Sequence, residues 1–122
     1  YAGIPLTHRK FASSVTFVTG HEDPEKKKEI VRWKKLAKST DTIVIMMGLS
    51  RIGIICKQLS LGGMDSSMPV AVIQDGTTKK QIMITGTISN IEKKIKQEKI
   101  KPPTIIIIGK VVSLAKKIGW RK

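Results

Sequence analysis

The 122-residue chain is 40% hydrophobic and 26% charged, which gives it the apolar content for one packed core, leaves it too short for two, and excludes a disordered tail. Its formal net charge of +14 favours an anionic partner, although sign alone does not choose among nucleic acid, a lipid surface and a polycarboxylate. The single cysteine, Cys56, excludes an internal disulfide, and no apolar run approaches the roughly 18 residues of a membrane span, so the expectation is a soluble, cytoplasmic protein.

Tyr1 leads directly into AGIPLTHRK with no initiating methionine, which reads as the interior of a longer protein. Short β-branched runs bounded by Gly, Pro, Asp or Ser predict strands at Val15–Thr19, Thr42–Met47, Val70–Gln74, Ile82–Thr87 and Thr104–Ile108. Between the first two, Asp23-Pro24-Glu25 supplies a cap, a first-turn proline and an early acid, so a helix is expected from Pro24 to Lys38. After Gly48, Ser50 is placed to cap a helix whose Ile52, Ile55, Cys56 and Leu59 form one apolar stripe, with Gly62-Gly63 as its stop. Ser89 and Glu92 have the spacing of a capping box before Ile91 and Ile95, and Pro102-Pro103 ends that third helix. The tail from Ser113 to Lys122 has room for one more turn. Alternating strands and helices imply an α/β domain with a mixed five-stranded sheet, in which Val70 to Thr87 forms an antiparallel hairpin.

In open α/β sheets ligands gather outside the carboxyl ends of strands, and Met46-Met47-Gly48 lies at such an end. Glycine admits a ligand to the backbone, and methionine is a polarizable wall suited to a flat ring or a sulfonium, yet methionines at strand ends are ordinarily core. Gln74-Asp75-Gly76-Thr77-Thr78 reads as a turn with Gly76 at positive φ, or as a second backbone wall of the same crevice. His8 and His21 have no partners at metal-ligand spacing, so no metal site is expected. Cys56 sits on an apolar stripe and reads as a packed thiol. No P-loop, GxGxxG, GxSxG or catalytic carboxylate pair is present, so no catalytic residue is assigned. The lysine clusters read as solvated helix faces without interleaved aromatics, which puts nucleic-acid binding second.

AGIPLTHR (Ala2–Arg9), ASSVTFVTGHE (Ala12–Glu22), Trp33 with Leu36-Ala37, MGL (Met47–Leu49), PVAVIQDGTTKKQ (Pro69–Gln81), TGT (Thr85–Thr87) and IIIIGKVVSL (Ile105–Leu114) occur in this order. Together they resemble the C-terminal half of the tetrapyrrole methylases, in particular the members that methylate uroporphyrinogen III at carbon. The resemblance implies that residues 1–122 are the C-terminal domain of a two-domain α/β enzyme. It implies S-adenosyl-L-methionine as cofactor in the cleft between the domains, uroporphyrinogen III as substrate, precorrin-2 as product on the way to sirohaem and cobalamin, and a homodimer. Met47 then matches the methionine of the family's YMG motif and Gly76 the glycine of its NGT turn, both lining the cofactor pocket, with Ala71 toward the adenine. Met46 stands where a tyrosine is common, Asp75 where an asparagine is common, and Ile82 where an arginine often follows the glutamine. The family's GPGD, GGDP and TSA-type segments belong upstream of Tyr1, so the chain is expected to supply one wall of the pocket and to be inactive alone. His8 and Arg9 are candidate contacts to substrate carboxylates, or structural residues at a strand entrance. The alternatives are another precorrin methyltransferase of the cobalamin pathway, or a non-catalytic basic module that binds a polyanion.

Overall fold

The structure is a computed structural model that describes residues 1–20 and 31–118. Five strands form one mixed sheet: β1 (Val15–Thr19), β2 (Thr42–Met46), β3 (Pro69–Gln74), β4 (Ile82–Thr87) and β5 (Thr104–Ile108), in the spatial order β1-β2-β5-β3-β4. β1 and β2 run parallel, and β5 is antiparallel to both of its neighbours, with Met46 opposite Ile105 and Ile105 opposite Ile73. β3 and β4 form the expected antiparallel hairpin. The strand runs are nearly uniformly apolar at the centre of the sheet because β2 and β3 are covered on both faces.

The helices α1 (Trp33–Ser39), α2 (Ile52–Leu61) and α3 (Ile91–Gln97) cover one face of the sheet. Trp33, Ile55, Leu59, Ile91 and Ile95 pack there against Ile43, Ile45, Val70, Val72, Ile106 and Ile108. The expected stripe of α2 is buried throughout, Ile52, Ile55, Cys56 and Leu59 included. Among the described residues no helix covers the central part of the other face. There Val44, Ala71, Ile73 and Ile107 meet the N-terminal residues Ala2, Ile4 and Leu6, together with Val112 from a 3-10 turn at Lys110–Leu114. That turn passes into α4 (Ala115–Ile118), so the tail from Ser113 does hold a turn of helix, with the 3-10 turn before it beginning at Lys110.

Four local expectations change. Val31 and Arg32 are not helical and α1 starts at Trp33, so the segment from Pro24 to Lys38 is not one helix; residues 21–30 lie outside the described residues. β2 ends at Met46, because Met47 turns into the left-handed region at φ 54°. Ser50 belongs to a 3-10 turn, Leu49–Arg51, that precedes α2 and gives no side-chain cap to it. The Ser89–Glu92 capping box does not form: α3 has Asn90 at its cap position, Asn90 Oδ1 accepts the Thr87 N–H at 2.8 Å, and Ser89 Oγ pairs with Thr87 Oγ1 at 2.9 Å. The amide of Asn90 thus closes the turn leaving β4, and the helix starts one residue later than a Ser89 cap would set it.

The amino ends of β1 and β2 are tied by polar contacts. Asp41 Oδ2 accepts the Ser13 N–H at 3.0 Å, the Ser13 hydroxyl at 3.1 Å and the Ser14 hydroxyl at 3.2 Å. The Asp41 N–H donates to Ser14 Oγ at 2.9 Å. The Ser13 amide, with the hydroxyls behind it, holds the Asp41 carboxyl below the usual aspartate value. A depressed carboxylate stabilises the fold above its unfolded value, and that contribution is lost as pH falls through the lower folded value. Asp41→Asn is therefore expected to lower the thermal midpoint near neutrality, with the gap to wild type closing below about pH 4, where the wild-type carboxylate itself takes up a proton; a gap independent of pH contradicts this role.

Cys56 lies against the helix-covered face, where burial, assisted by the charge of Glu92, pushes its thiol up to about 12. A raised thiol favours the folded state below the ordinary thiol value and loses that contribution as pH rises toward the folded value. Iodoacetamide at about pH 8 is expected to leave Cys56 unmodified in the native protein, at least ~100-fold slower than in guanidinium-unfolded protein, since the thiolate is the reacting form; equal rates refute its place in the core.

Candidate functional site

The path of β5 decides where the chemistry-bearing turns lie. It runs antiparallel between β2 and β3, so the carboxyl ends of both of those strands emerge at one end of the sheet, two strand spacings or about 10 Å apart. Met47 follows the end of β2 and Gly76 follows the end of β3, so the structure brings these residues to the same edge. Ile105, 43% exposed, stands between them and leaves the space above the strand ends open.

A cavity of about 270 Å³ opens at this end, on the face covered by the N-terminal segment. Phe17, Ile73 and Ile105 form its apolar walls, Tyr1 and Gly76 its rim, and Gln81 its polar corner. Gly76 lines the cavity whereas Met47 does not; Met47 follows the end of β2 with 65% of its surface exposed. Ala71 is elsewhere. It pairs with Ile107 and Thr85 in mid-sheet and is fully buried, so its side chain packs in the core and offers no surface to a ligand.

The Gly76 turn differs from its sequence reading in one respect. The left-handed residues are Asp75 at φ 49° and Thr77 at φ 69°, flanking the glycine, which is itself not at positive φ. Polar contacts account for this. Thr78 Oγ1 donates to the Asp75 carbonyl at 2.7 Å, and the Thr77 N–H donates to Gln81 Oε1 at 2.7 Å. Neither backbone conformation nor crowding requires glycine at position 76. A Cβ there would meet only Ile73 Cγ2, at 3.4 Å, and would otherwise project into the open cavity.

Gln81 also donates through Nε2 to the Tyr1 carbonyl at 3.4 Å, tying the start of the chain to the turn and closing one side of the cavity. Phe17, Tyr1 and Ile105 were missed as wall residues by sequence reasoning. Phe17 reads there only as one position of a strand; the structure puts that strand at the edge of the sheet and leaves Phe17 60% exposed beside the cavity. Gln81 carried a signal, since it lies within the PVAVIQDGTTKKQ segment.

His8 and Arg9 are not at this end. Their loop, closed by the His8–Ala12 bridge, leads into Ser13, which is bound to Asp41 at the amino end of β2. The His8 ring stacks on Phe11 at 5.1 Å and its Nδ1 accepts the Lys10 N–H at 3.1 Å, which fits the structural reading of these residues. Among the described residues no group of acidic, histidine and cysteine side chains has the arrangement of a metal site. No described helix is long and apolar enough to cross a membrane. The site thus offers an apolar, glycine-edged recess with polarizable and aromatic neighbours, and no acid–base pair. Such a surface binds and orients a flat, partly apolar molecule.

Comparison with known proteins follows the same lines. The chain is 51% identical over 77 residues to a uroporphyrinogen-III C-methyltransferase of Synechocystis sp., an alignment that spans 63% of this chain and 29% of that protein. It has the same identity over 77 residues to an S-adenosyl-L-methionine-dependent uroporphyrinogen III methyltransferase of Methanosarcina barkeri, covering 63% of this chain and 30% of that one. The fold superimposes with a TM-score of 0.77 on uroporphyrin-III C-methyl transferase from Thermus thermophilus complexed with S-adenyl homocysteine, at 26% identity, over 93% of this chain and 49% of that chain. The chain thus spans about a third of the length of these curated relatives and about half of the solved structure. The sequence profile of the Tetrapyrrole (Corrin/Porphyrin) Methylases matches residues 1–92, and the chain belongs to that family.

Proposed function

We propose that residues 1–122 form the C-terminal domain of an S-adenosyl-L-methionine-dependent uroporphyrinogen-III C-methyltransferase, and that the crevice at the ends of β2 and β3 is this domain's wall of the cofactor site. The observation that carries the reading is the convergence of Met47 and Gly76 at one end of the sheet, next to an apolar cavity edged by the glycine. The residues suit the cofactor. The open backbone at Gly76 admits a nucleoside closely, Phe17 and Ile105 give its flat parts an apolar surface, and the exposed thioether of Met47 is a polarizable neighbour for a sulfonium.

The cofactor, when bound, would supply an electrophilic methyl group on its sulfonium sulfur for an electron-rich pyrrole carbon, with the neutral thioether as leaving group. The protein's part is to align the two and keep water out, which accounts for a site with no nucleophile or acid–base pair of its own. The substrate is a polycarboxylate, and the chain's charge of +14 raises its concentration at the protein surface, more strongly at low salt. The product of the reaction is precorrin-2, which places the enzyme on the route to sirohaem and cobalamin, and the working unit is a homodimer in the cytoplasm.

Full-length protein is expected to bind S-adenosylhomocysteine in a calorimetric titration and to methylate uroporphyrinogen III, whereas the 122-residue segment alone turns over little or nothing. Gly76→Val places a side chain in the recess without touching backbone, and is expected to weaken binding about 10-fold or more, equivalent to about 1.4 kcal/mol, with little loss of stability. Undiminished affinity in that variant, or full activity of the isolated segment, sinks this assignment.

A further inference from the structure

Met47 adopts a conformation that its own side chain does nothing to enforce. A non-glycine residue at φ 54° lies in the left-handed region, where the Cβ crowds the backbone, and such strain persists only where the surroundings over-determine it. With 65% of its surface exposed, Met47 is not held there by packing of its side chain. The restraint has to come from its neighbours along and across the chain.

Those neighbours are held on both sides. Before Met47, the Met46 carbonyl accepts the Gly20 N–H at 2.7 Å, which extends the β1–β2 pairing one residue past its last register pair, Thr19 with Met46. After Met47, the buried Gly48 is pressed between Gly20 and the side chain of Ile45. A Cβ on Gly20 would collide with Gly48 Cα and lie 3.2 Å from Gly48 N, while a Cβ on Gly48 would lie 2.5 Å from Ile45 Cγ2. Glycine is required at 20 because the backbone of residue 48 lies against it, and at 48 because the Ile45 side chain does, so the residue between the two held points has to bow outward. The bow is Met47.

We infer that Gly20 is a positioning residue for the turn that ends β2: its contact with Gly48 and its hydrogen bond to Met46 clamp Met47 in the left-handed conformation at this end of the sheet. This inference rests on the cofactor reading given above for its effect on binding, and on geometry alone for its effect on Met47. The clamp works through backbone, so a methyl group at position 20 disrupts it without removing any group that touches ligand.

Gly62 provides a matched control. It ends α2, away from the crevice, and a Cβ there would meet the backbone of Lys34, lying on its carbonyl oxygen and 2.6 Å from its Cα. Gly20→Ala and Gly62→Ala thus create comparable backbone clashes at different places in the fold. In the full-length protein, both variants are expected to lower the thermal midpoint, while only Gly20→Ala weakens S-adenosylhomocysteine binding, by about 10-fold or more, and Gly62→Ala stays within about twofold of wild type. In spectra of methyl-labelled methionine, with Met47 assigned by its loss in Met47→Leu, the Met47 resonance is expected to shift in Gly20→Ala and stay in place in Gly62→Ala. Loss of affinity in proportion to stability in both variants, or an unmoved Met47 resonance in Gly20→Ala, overturns the clamp. Wild-type protein that binds no S-adenosylhomocysteine refutes the cofactor reading instead, and the methionine spectra still decide the clamp. Should Gly20→Ala not fold, Met47→Gly and Met47→Ala decide it: a clamped left-handed residue makes Met47→Gly the more stable of the two, and the reverse order contradicts it.

Discussion

The placement of one strand governs the rest of this molecule. Thr104–Ile108 inserts between β2 and β3 and runs against both, with Ile106 and Ile108 facing the helical layer and Ile107 facing the N-terminal segment. Buried on both sides, its isoleucines supply apolar surface to two cores at once, and its hydrogen bonds join two strands distant in sequence. Because it opposes both, the turns leaving β2 and β3 share an end. A parallel β5 in the same slot would demand different crossovers, and a hairpin joined directly to β2 would close the gap in which the cavity lies.

From that constraint the two faces acquire different roles. The helix-covered face is conventional core, sealed by Trp33, Leu59 and Ile91 and by the close approach of α1 to Gly62. The other face is closed by an irregular segment, Ala2–Leu6, that lies over Val44 and Ile107 and is fastened at one end by Gln81 to Tyr1 and at the other by Ser13 to Asp41. A single irregular segment covers less area than a helix, so a recess is left beside Phe17 and Ile105 at the end where the strand tips lie. The residues matched by the family profile include that same segment, which in this fold both covers one sheet face and walls the recess.

What the sequence made legible follows from how local each signal is. The five strands were readable because β-branched runs between turn residues have few other ways to bury themselves, and the boundaries moved by a single residue at β2 and β3. The stripe of α2 was readable because Ile52, Ile55, Cys56 and Leu59 keep helical spacing. Caps were less so, since Asn90 competed with Ser89 for the same turn and won through its amide. That Met47 and Gly76 lie at strand ends could be read from motif and strand pattern, but the left-handed residues beside Gly76 could not, because Thr78 and Gln81 impose them through side-chain hydrogen bonds. Ala71 shows the converse. Lying in the strand that leads to Gly76 does not bring a residue to the strand's tip, and mid-sheet placement buried it. Phe17 and Tyr1 were out of reach of local reasoning, as their nearness to Gly76 depends on sheet order and on the path of the N-terminal segment.

The central claim is that the ends of β2 and β3 together make one wall for a sulfur-bearing nucleoside. The most direct measurement is a crystal structure of the full-length protein grown with S-adenosylhomocysteine. The account predicts the ligand in van der Waals contact with both Met47 and Gly76, its flat ring against the apolar side of the crevice. A ligand bound wholly away from these two turns, with the recess beside Gly76 filled by protein side chains, would contradict it.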